Sequence, residues 1–390
     1  MCGRPCKILS RFIEAMPRVK LHFSGSTPPE IFVGRVSYPN VFSGILSPEQ
    51  KGETQVYSMP EEWVKGNLSI ETILEYRGKM IYARDQGHVK SQSANSFKSV
   101  FENLALSSKP VSTEFFLKKS PKFEFSASKL FTIMANPAPI DKIILEENPK
   151  IEQKVDYVVS DYDVKATTAL KELYSANILT SHLQKLMSAG LLGVKNQRKL
   201  VPTRWAITAV DDTLSKNLLE EIRTYKELNE ILLFNAEYNG NHYEFLLLPE
   251  NFSFEVIEAE MPGNLWNPSQ KIEFMNDYED FFGRTNYADN VTGAYYANRL
   301  GVCEYLTKIK KQASILVLRE IREEYYAPLG VGILREITRK AFESTPEKPS
   351  TIDNALNLIQ SRIKLPIEKF KEVSWMLKNY GKQKKLTKWF

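Results

Sequence analysis

A turn-rich segment near the start of the chain, residues 23–35, carries residue types that bind phosphate. It opens with the run F-S-G-S-T-P-P-E. The backbone amides of Gly25, Ser26 and Thr27 would cradle a phosphate group, and two of these residues add hydroxyls. Arg35 would supply a positive charge. No Gly-Lys-Ser follows, so this is not a Walker loop, and a turn-rich connector is the competing interpretation.

Three titratable residues are candidates for the chemistry of a phosphoesterase or nucleotide hydrolase. His22 directly precedes residues 23–35, which we call the phosphate-type segment, and is the candidate general acid or base. Asp211 and Asp212 would hold a divalent metal ion with a further carboxylate, and Arg204 would contact the nucleotide. The competing interpretation is structural, because an aspartate before a threonine and an amphipathic run is typical of a helix N-cap. This alternative predicts a capped helix over residues 211–227.

The densest basic cluster of the body follows a predicted pair of helices within residues 166–190. Two short helices followed by a basic extended segment are typical of a winged helix, in which the second helix enters a DNA groove and the basic segment contacts phosphate. We therefore predict a winged-helix-like part at residues 166–210, with a solvated loop after a helical hairpin as the alternative. His182, near the start of the second helix, is expected to face solvent. The cluster consists of Lys195, Arg198, Lys199 and Arg204.

The last eight residues have the spacing of a peptide that docks in a pocket. Gln383 is followed three residues later by Leu386, and then by the adjacent aromatic residues Trp389 and Phe390. One 3₁₀ turn would put Leu386 and the aromatic residues into one apolar pocket, while Gln383 fills a polar one. A tail that packs on its own body is the alternative, but it would draw three lysines toward the core. The octapeptide resembles the motif with which replication and repair factors bind the sliding clamp PCNA, which makes PCNA the expected partner.

Composition places the chain among globular proteins. Apolar residues make up 43% and charged residues 25% of its 390 residues, which is ordinary for such a protein. The longest apolar runs are far too short to span a bilayer, and no basic-then-apolar leader opens the chain. Three cysteines cannot build a disulfide framework. We therefore expect a cytoplasmic protein without a membrane partner.

Charge is distributed unevenly along the chain. The five lysines within residues 378–390 account for the whole net charge of +5, so the body is neutral on balance. Proteins that coat nucleic acid usually have a basic body. The chain therefore does not fit that class, although a neutral total still permits a local basic patch.

The elements that must position these residues include both strands and helices. Residues 231–234 and 243–248 flank Asn239-Gly240, the strongest short signal for a β-hairpin. Further strands are predicted at 252–257 and 314–321. The predicted fold class is mixed α/β (α+β), with a mixed or antiparallel sheet.

The C-terminal end of the body is predicted to be helical. Two apolar stripes at helical spacing are separated by Pro366, which restarts a helix in its first turn. Gly381 then breaks the pattern and releases a flexible tail. We predict a cysteine-bearing segment at residues 1–10, an α/β body at 11–377 and a clamp-binding tail at 378–390.

Four sequence blocks together resemble one family. They are M-C-G-R-P-C at residues 1–6, F-S-G-S-T-P-P at 23–29, V-P-T-R-W-A-I-T at 201–208 and P-L-G-V-G at 328–332. These blocks resemble those of the archaeal Nre family, NreA type, and the resemblance covers nearly the whole chain. It implies an archaeal DNA-repair protein that works with the sliding clamp, and it supplies no catalytic assignment.

One departure from this resemblance concerns zinc. Members of the family begin with a longer cysteine-rich segment suited to zinc, whereas only Cys2 and Cys6 are present here and Cys303 lies far away. A structural zinc site uses four ligands. We therefore expect residues 1–10 to be a vestige without zinc, while a divalent metal elsewhere stays open.

These residues support three functional hypotheses. The favoured one is a DNA-repair factor recruited to PCNA, with a body that binds DNA or a nucleotide. The second is a metal-dependent phosphoesterase or nucleotide hydrolase acting in repair. The third is a non-catalytic adaptor. A bound nucleotide or metal ion would favour the enzyme, and salt-sensitive DNA binding without the tail would favour the DNA-binding factor.

Overall fold

The computed structural model describes residues 7–90, 96–122, 135–262, 267, 269 and 271–381. The chain divides into two compact units, a first unit of Met1–Leu214 with Ala327–Gly332 and a second unit of Ser215–Tyr326 with Ile333–Phe390. Helices and two mixed sheets confirm the predicted mixed α/β class. Among the helices described, none is both long and apolar enough to cross a membrane. Cys2 and Cys6 lie outside the described residues, and Cys303 is a buried free thiol.

The first unit is built on a six-stranded sheet. Its strands are β1 (His22–Thr27), β2 (Ile31–Val33), β3 (Asn40–Pro48), β4 (Met80–His88), β5 (Val111–Leu117) and β6 (Asn136–Leu145). Their order across the sheet is β1-β5-β6-β4-β3-β2. The neighbours β4 and β6 run parallel, and the other neighbours run antiparallel.

Helices and two short 3₁₀ turns complete the first unit. The helices are α1 (Lys7–Ala15), α2 (Pro60–Lys65), α3 (Ile70–Lys79), α4 (Ser96–Leu106), α5 (Gln153–Ser160), α6 (Ala166–Ser175), α7 (Thr180–Ser188) and α8 (Thr203–Ile222). The residues of α8 from Ser215 onward belong to the second unit. The 3₁₀ turns lie at Gln55–Ser58 and Lys195–Gln197.

Strand β1 occupies residues that were expected to form a loop. Its side chains alternate, with Phe23, Gly25 and Thr27 buried and the residues between them more exposed. A period of two is what a strand with one buried face requires. The loop expectation was wrong here because glycine, serine and threonine are also turn residues and conceal this alternation.

Helix α7 is enclosed within the first unit. All of its residues are buried or half-buried. Gly190 follows the helix with a φ of 70°, the left-handed conformation in which a glycine commonly ends a helix. His182 is buried, and its Nε2 lies 3.0 Å from the carbonyl oxygen of Ala105. The expectation of a solvent-facing His182 was wrong, because α7 has no face toward solvent.

Helix α8 begins earlier than the sequence suggested. The predicted N-cap at Asp211 is wrong, because the helix starts at Thr203 and Asp211 lies inside it. The carbonyl oxygen of Pro202 accepts from the amides of Trp205 and Ala206 at 2.8 and 3.0 Å. Pro202 therefore occupies the capping position.

The second unit contains a five-stranded sheet. Its strands are β7 (Leu232–Tyr238), β8 (Asn241–Leu248), β9 (Ser253–Glu260), β10 (Glu273–Glu279) and β11 (Ser314–Ile321). Their order is β10-β9-β11-β8-β7, in which β11 runs parallel to β9 and antiparallel to β8. The predicted hairpin is confirmed, since Asn239 and Gly240 join β7 to β8 with φ values of 47° and 74°.

Helices cover this second sheet. They are α9 (Gly293–Ile309), α10 (Gly332–Ala341), α11 (Ile352–Gln360), α12 (Ile367–Val373) and α13 (Trp375–Asn379). Apolar residues of α11 to α13 form one core with β8, β9 and β11. Pro366 is the N-cap residue of α12, directly before the first turn in which it was predicted.

The body extends further toward the C-terminus than residue 377. Lys378 belongs to α13, and Tyr380 packs against the apolar core of the second unit. Gly381 has a φ of 71° and is the last described residue. The predicted motif from Gln383 to Phe390 lies outside the described residues.

The environment of His182 generates a prediction about pH. Burial, with a smaller contribution from nearby Lys185, lowers the pKa of the His182 imidazole to about 4. An unfolded chain protonates this histidine below about pH 6.5, so the free energy of unfolding should fall as the pH drops from 6.5 toward 4. The His182 contribution lost between pH 7 and pH 5 should be about 2 kcal/mol.

Chemical denaturation of the wild type and of His182→Gln at pH 7 and pH 5 measures this effect. The glutamine keeps an N–H donor for the carbonyl of Ala105 but does not titrate. The difference in stability between the two proteins should therefore change by about 2 kcal/mol between these pH values. A constant difference would contradict a depressed pKa at His182.

Candidate nucleic-acid interface

The backbone of the phosphate-type segment is engaged within the sheet. The amide of Ser26 donates to the carbonyl oxygen of Gln50 at 2.9 Å. Alternate residues of a strand present their amides to opposite sides, so the amides of Gly25 and Thr27 point toward β5. A Cβ atom on Gly25 would meet the carbonyl oxygen of Pro48 at 2.1 Å. Glycine is therefore required here because two backbone segments approach closely. The three amides do not converge into a phosphate cradle.

The side chains of this strand also have neighbours. The hydroxyls of Thr27 and Ser47 are 2.8 Å apart, and the hydroxyl of Ser26 accepts a backbone amide. His22 is exposed, and its Nε2 lies 2.8 Å from Oε1 of Glu114. This contact pairs an imidazole with a carboxylate at the surface and does not by itself define a catalytic group.

The two candidate metal ligands have different surroundings. Asp211 is fully buried, and its Oδ1 accepts from Nε2 of Gln184 at 3.1 Å. This bond ties α8 to α7. Asp212 is half-buried. Within the described ranges, no three His, Cys, Asp or Glu side chains are grouped so that they could hold a metal ion.

The basic cluster belongs to a long stretch without acidic residues. From Leu173 to Val210 the chain has no Asp or Glu. One basic residue of this stretch, Lys185, is paired with Glu30 at 2.9 Å in the interior. The remaining basic residues follow α7, so the positive charge is concentrated in the connection from α7 to α8 and in the first turn of α8. They are Lys195, Arg198, Lys199 and Arg204.

The first half of this connection is arranged around Tyr162, whose side chain is 49% exposed. Nζ of Lys195 lies 4.7 Å and Cζ of Arg198 lies 4.9 Å from the centroid of the Tyr162 ring. Arg198 also donates to the carbonyl oxygens of Gly193 and Asp161 at 2.7 and 2.9 Å. Arg198 therefore holds the backbone in place, whereas Lys195 is exposed.

The second half of the connection lies beside an aromatic pair. Tyr38 is 39% and Trp205 is 44% exposed, and their ring centroids are 5.0 Å apart with an interplanar angle of 53°. Nζ of Lys199 lies 3.4 Å from the hydroxyl of Tyr38. Two exposed aromatic rings and an ammonium group thus share one site, which we call the aromatic–basic surface: Tyr38, Lys199 and Trp205.

The hairpin between β2 and β3 carries further exposed groups. Val36 is 81% and Phe42 is 38% exposed, and the guanidinium of Arg84 lies 4.5 Å from the centroid of Phe42. Arg35 lies in the same turn as Tyr38, whose amide donates to the Arg35 carbonyl at 3.3 Å. The hairpin that presents Tyr38 is therefore rich in apolar and cationic groups.

Helix α7 cannot act as the recognition helix of a winged helix. Such a helix needs an exposed face that enters a DNA groove, whereas every residue of α7 is buried or half-buried. The exposed features near the basic cluster are aromatic rings instead.

Tyr38, Tyr162 and Trp205 were not identified from the sequence. Trp205 directly follows the candidate Arg204, and an aromatic residue beside a basic one is a signal for nucleic-acid binding. Tyr38 lies in a run that contains mainly turn residues. Its pairing with Trp205 depends on contacts between distant parts of the chain.

A surface pocket beside α5 does not suit a nucleotide. It is lined by Gln153, Asp156, Tyr157, Ser160 and Asp161. Two of these side chains are carboxylates, which would repel a phosphate group.

Comparison with known proteins shows relatives along nearly the whole chain. The DNA repair protein NreB of Archaeoglobus fulgidus is 35% identical over 386 residues, which cover 99% of this chain and 96% of that protein. The DNA repair protein NreA of the same organism is 38% identical, with 93% and 91% covered. The DNA repair protein NreA of Haloferax volcanii is 32% identical, with 94% and 88% covered. No solved structure matches the chain.

The family assignment rests on two adjacent matches. Residues 1–267 match the model of the archaeal Nre N-terminal region, and residues 279–389 match that of the archaeal Nre C-terminal region. Both agree with the resemblance carried by the sequence blocks at residues 1–6, 23–29, 201–208 and 328–332. The chain therefore belongs to the archaeal Nre family.

Proposed function

We propose that this protein is a DNA-repair factor that binds DNA through its first unit and docks on the sliding clamp PCNA through residues 383–390. The observation that carries the DNA-binding part is the aromatic–basic surface beside a stretch without acidic residues. The names of the Nre relatives, which are called DNA repair proteins, support the role in repair.

The exposed lysines of the connection are suited to phosphate. Lys195 and Lys199 are both exposed, and within the part of the chain that the structure describes neither ammonium is in an ion pair with a carboxylate. Their charge is therefore available to a phosphate backbone. The body is neutral on balance, so this local concentration of charge would direct DNA to one place.

The clamp-binding part rests on the spacing Gln383, Leu386, Trp389 and Phe390. The match to the Nre C-terminal region extends to residue 389 and so includes most of this motif. The motif begins two residues after Gly381, at which the described body ends. A short peptide that follows a packed helix in the sequence can enter a pocket on a partner.

The salt dependence of DNA binding tests the basic connection. In the double variant Lys195→Ala/Lys199→Ala, each lost phosphate contact should remove about 0.9 from the slope of log affinity against log salt for a duplex and about 0.7 for a single strand. Arg198 is left unchanged because it holds the backbone of the connection. Fluorescence anisotropy at several salt concentrations measures the slope.

The double variant Lys348→Ala/Lys371→Ala is the matched control, because it removes the same charge from lysines of the second unit that pair with Glu230 and Glu368. Its slope should equal that of the wild type. Equal slopes for the wild type and Lys195→Ala/Lys199→Ala would contradict DNA binding at the connection.

Calorimetry with an archaeal PCNA tests the clamp-binding motif. Replacing Trp389 and Phe390 by Ala should weaken binding by at least about 2 kcal/mol, or roughly thirtyfold, because anchors in a pocket carry most of the interface energy. Thr387→Ala is the control, since this position lies between the anchors and should have little effect. A peptide of residues 381–390 should bind nearly as well as the whole protein. Unchanged affinity of the double variant would exclude docking through this motif.

A further inference from the structure

We infer that the aromatic–basic surface binds single-stranded DNA by stacking bases on Tyr38 and Trp205. This inference rests on the proposed DNA-binding function and specifies the form of DNA. Proteins that bind single strands combine cations along the backbone with aromatic rings on which successive bases stack. Both components are present here, because Tyr38 contacts Trp205 and Lys199.

The arrangement of the two rings leaves room for bases. The planes of Tyr38 and Trp205 are inclined by 53°, so the rings do not cover each other face to face. Both side chains keep about two-fifths of their area exposed, 39% and 44%. An exposed ring face is the surface on which an unpaired base stacks, and every base has such a face.

The backbone on both sides holds the rings in place before any ligand binds. The hydroxyl of Thr203 accepts from the amide of Val33 at 2.9 Å, which fixes the start of α8 against β2. Trp205 lies in the first turn of that helix. Tyr38 lies in a turn that is closed by the hydrogen bond from its own amide to Arg35. Preorganised groups lose little entropy on binding.

A second aromatic residue lies beside the start of the same connection. Nζ of Lys195 lies 4.7 Å from the ring centroid of Tyr162, a residue between α5 and α6. An additional ring and ammonium suit a single strand, which presents a base and a phosphate at each nucleotide.

A duplex fits this site less well. Its bases are stacked inside the helix, and a protein reads their edges with an element that protrudes into a groove. The helix in the corresponding position, α7, is enclosed. Flat rings at the surface have nothing to stack on in an intact duplex.

Fluorescence and anisotropy titrations with oligothymidylate of about 20 nucleotides, longer than one site of this kind requires, test the inference. The wild type should bind this single strand more tightly than a duplex of equal length. Tyr38→Ala and Trp205→Ala should each weaken single-strand binding about 5- to 150-fold, which corresponds to the loss of one stacked base. Duplex affinity should change much less.

Two further variants separate stacking from misfolding. Trp205→Phe keeps a ring and should lose less affinity than Trp205→Ala, while the quenching of tryptophan fluorescence on binding should decrease because the stacked indole is gone. Phe282→Ala removes an aromatic side chain that is 85% exposed in the second unit and should leave the affinity unchanged. Thermal unfolding of each variant shows whether it is folded.

The possible results distinguish this inference from the proposed function. Tighter binding of duplex than of single strand, or unchanged single-strand affinity of folded Tyr38→Ala and Trp205→Ala, would overturn base stacking. If Lys195→Ala/Lys199→Ala still reduced the salt dependence in that case, DNA binding by the first unit would stand. Absence of salt-dependent DNA binding by the wild type would overturn both.

Discussion

The proposed DNA-binding surface depends on how the chain leaves the buried helix α7. Gly190 adopts a φ of 70°, and a Cβ atom there would meet the carbonyl oxygen of Lys199 at 2.4 Å. The chain can therefore turn sharply and return along the end of its own helix. The hydroxyl of Ser188 then donates to the carbonyl oxygen of Val201 at 2.8 Å. A buried helix end thus fixes an exposed basic segment, and any larger residue at position 190 would displace both.

Buried carboxylates have a comparable role at the C-terminal end of the second unit. Oε1 and Oε2 of Glu255, on β9, accept from the amides of Trp375 and Met376 at 2.7 and 2.8 Å. A buried charge is tolerated only where such hydrogen bonds satisfy it. Glu320, on β11, likewise accepts from the amide of Leu365 at 2.8 Å. The sheet therefore fixes the start of α13, the last helix of the described chain.

Elements that depend on neighbouring residues were predicted correctly from the sequence, whereas elements that depend on distant parts of the chain were not. The β7–β8 hairpin and the strand Ser314–Ile321 were predicted because a turn dipeptide or an apolar run encodes each of them locally. The N-cap at Asp211 was wrong because the helix begins at Thr203, and the residues around Asp211 do not reveal this earlier start. Strand β1 was missed because its small residues pack against the backbone at residues 48–50.

The candidate site was predictable only in part, for the same reason. Lys195 and Lys199 were identified because clustered charge is visible in the sequence itself. The pairing of Tyr38 with Trp205 is not, since a tertiary contact between a hairpin turn and a helix start brings them together. Exposure of these rings is likewise a property of the folded chain.

A neutral body with two local basic regions has a consequence if both proposed contacts form. Two contacts made by one chain support each other, because once the first has formed the second no longer starts from free solution. The first unit would then need only modest affinity for DNA, which a few lysines and stacked rings supply. A uniformly basic body would bind any stretch of duplex DNA, because counterion release alone would drive the binding. With the excess positive charge restricted to the connection and the tail, binding would instead depend on the clamp and on exposed bases together.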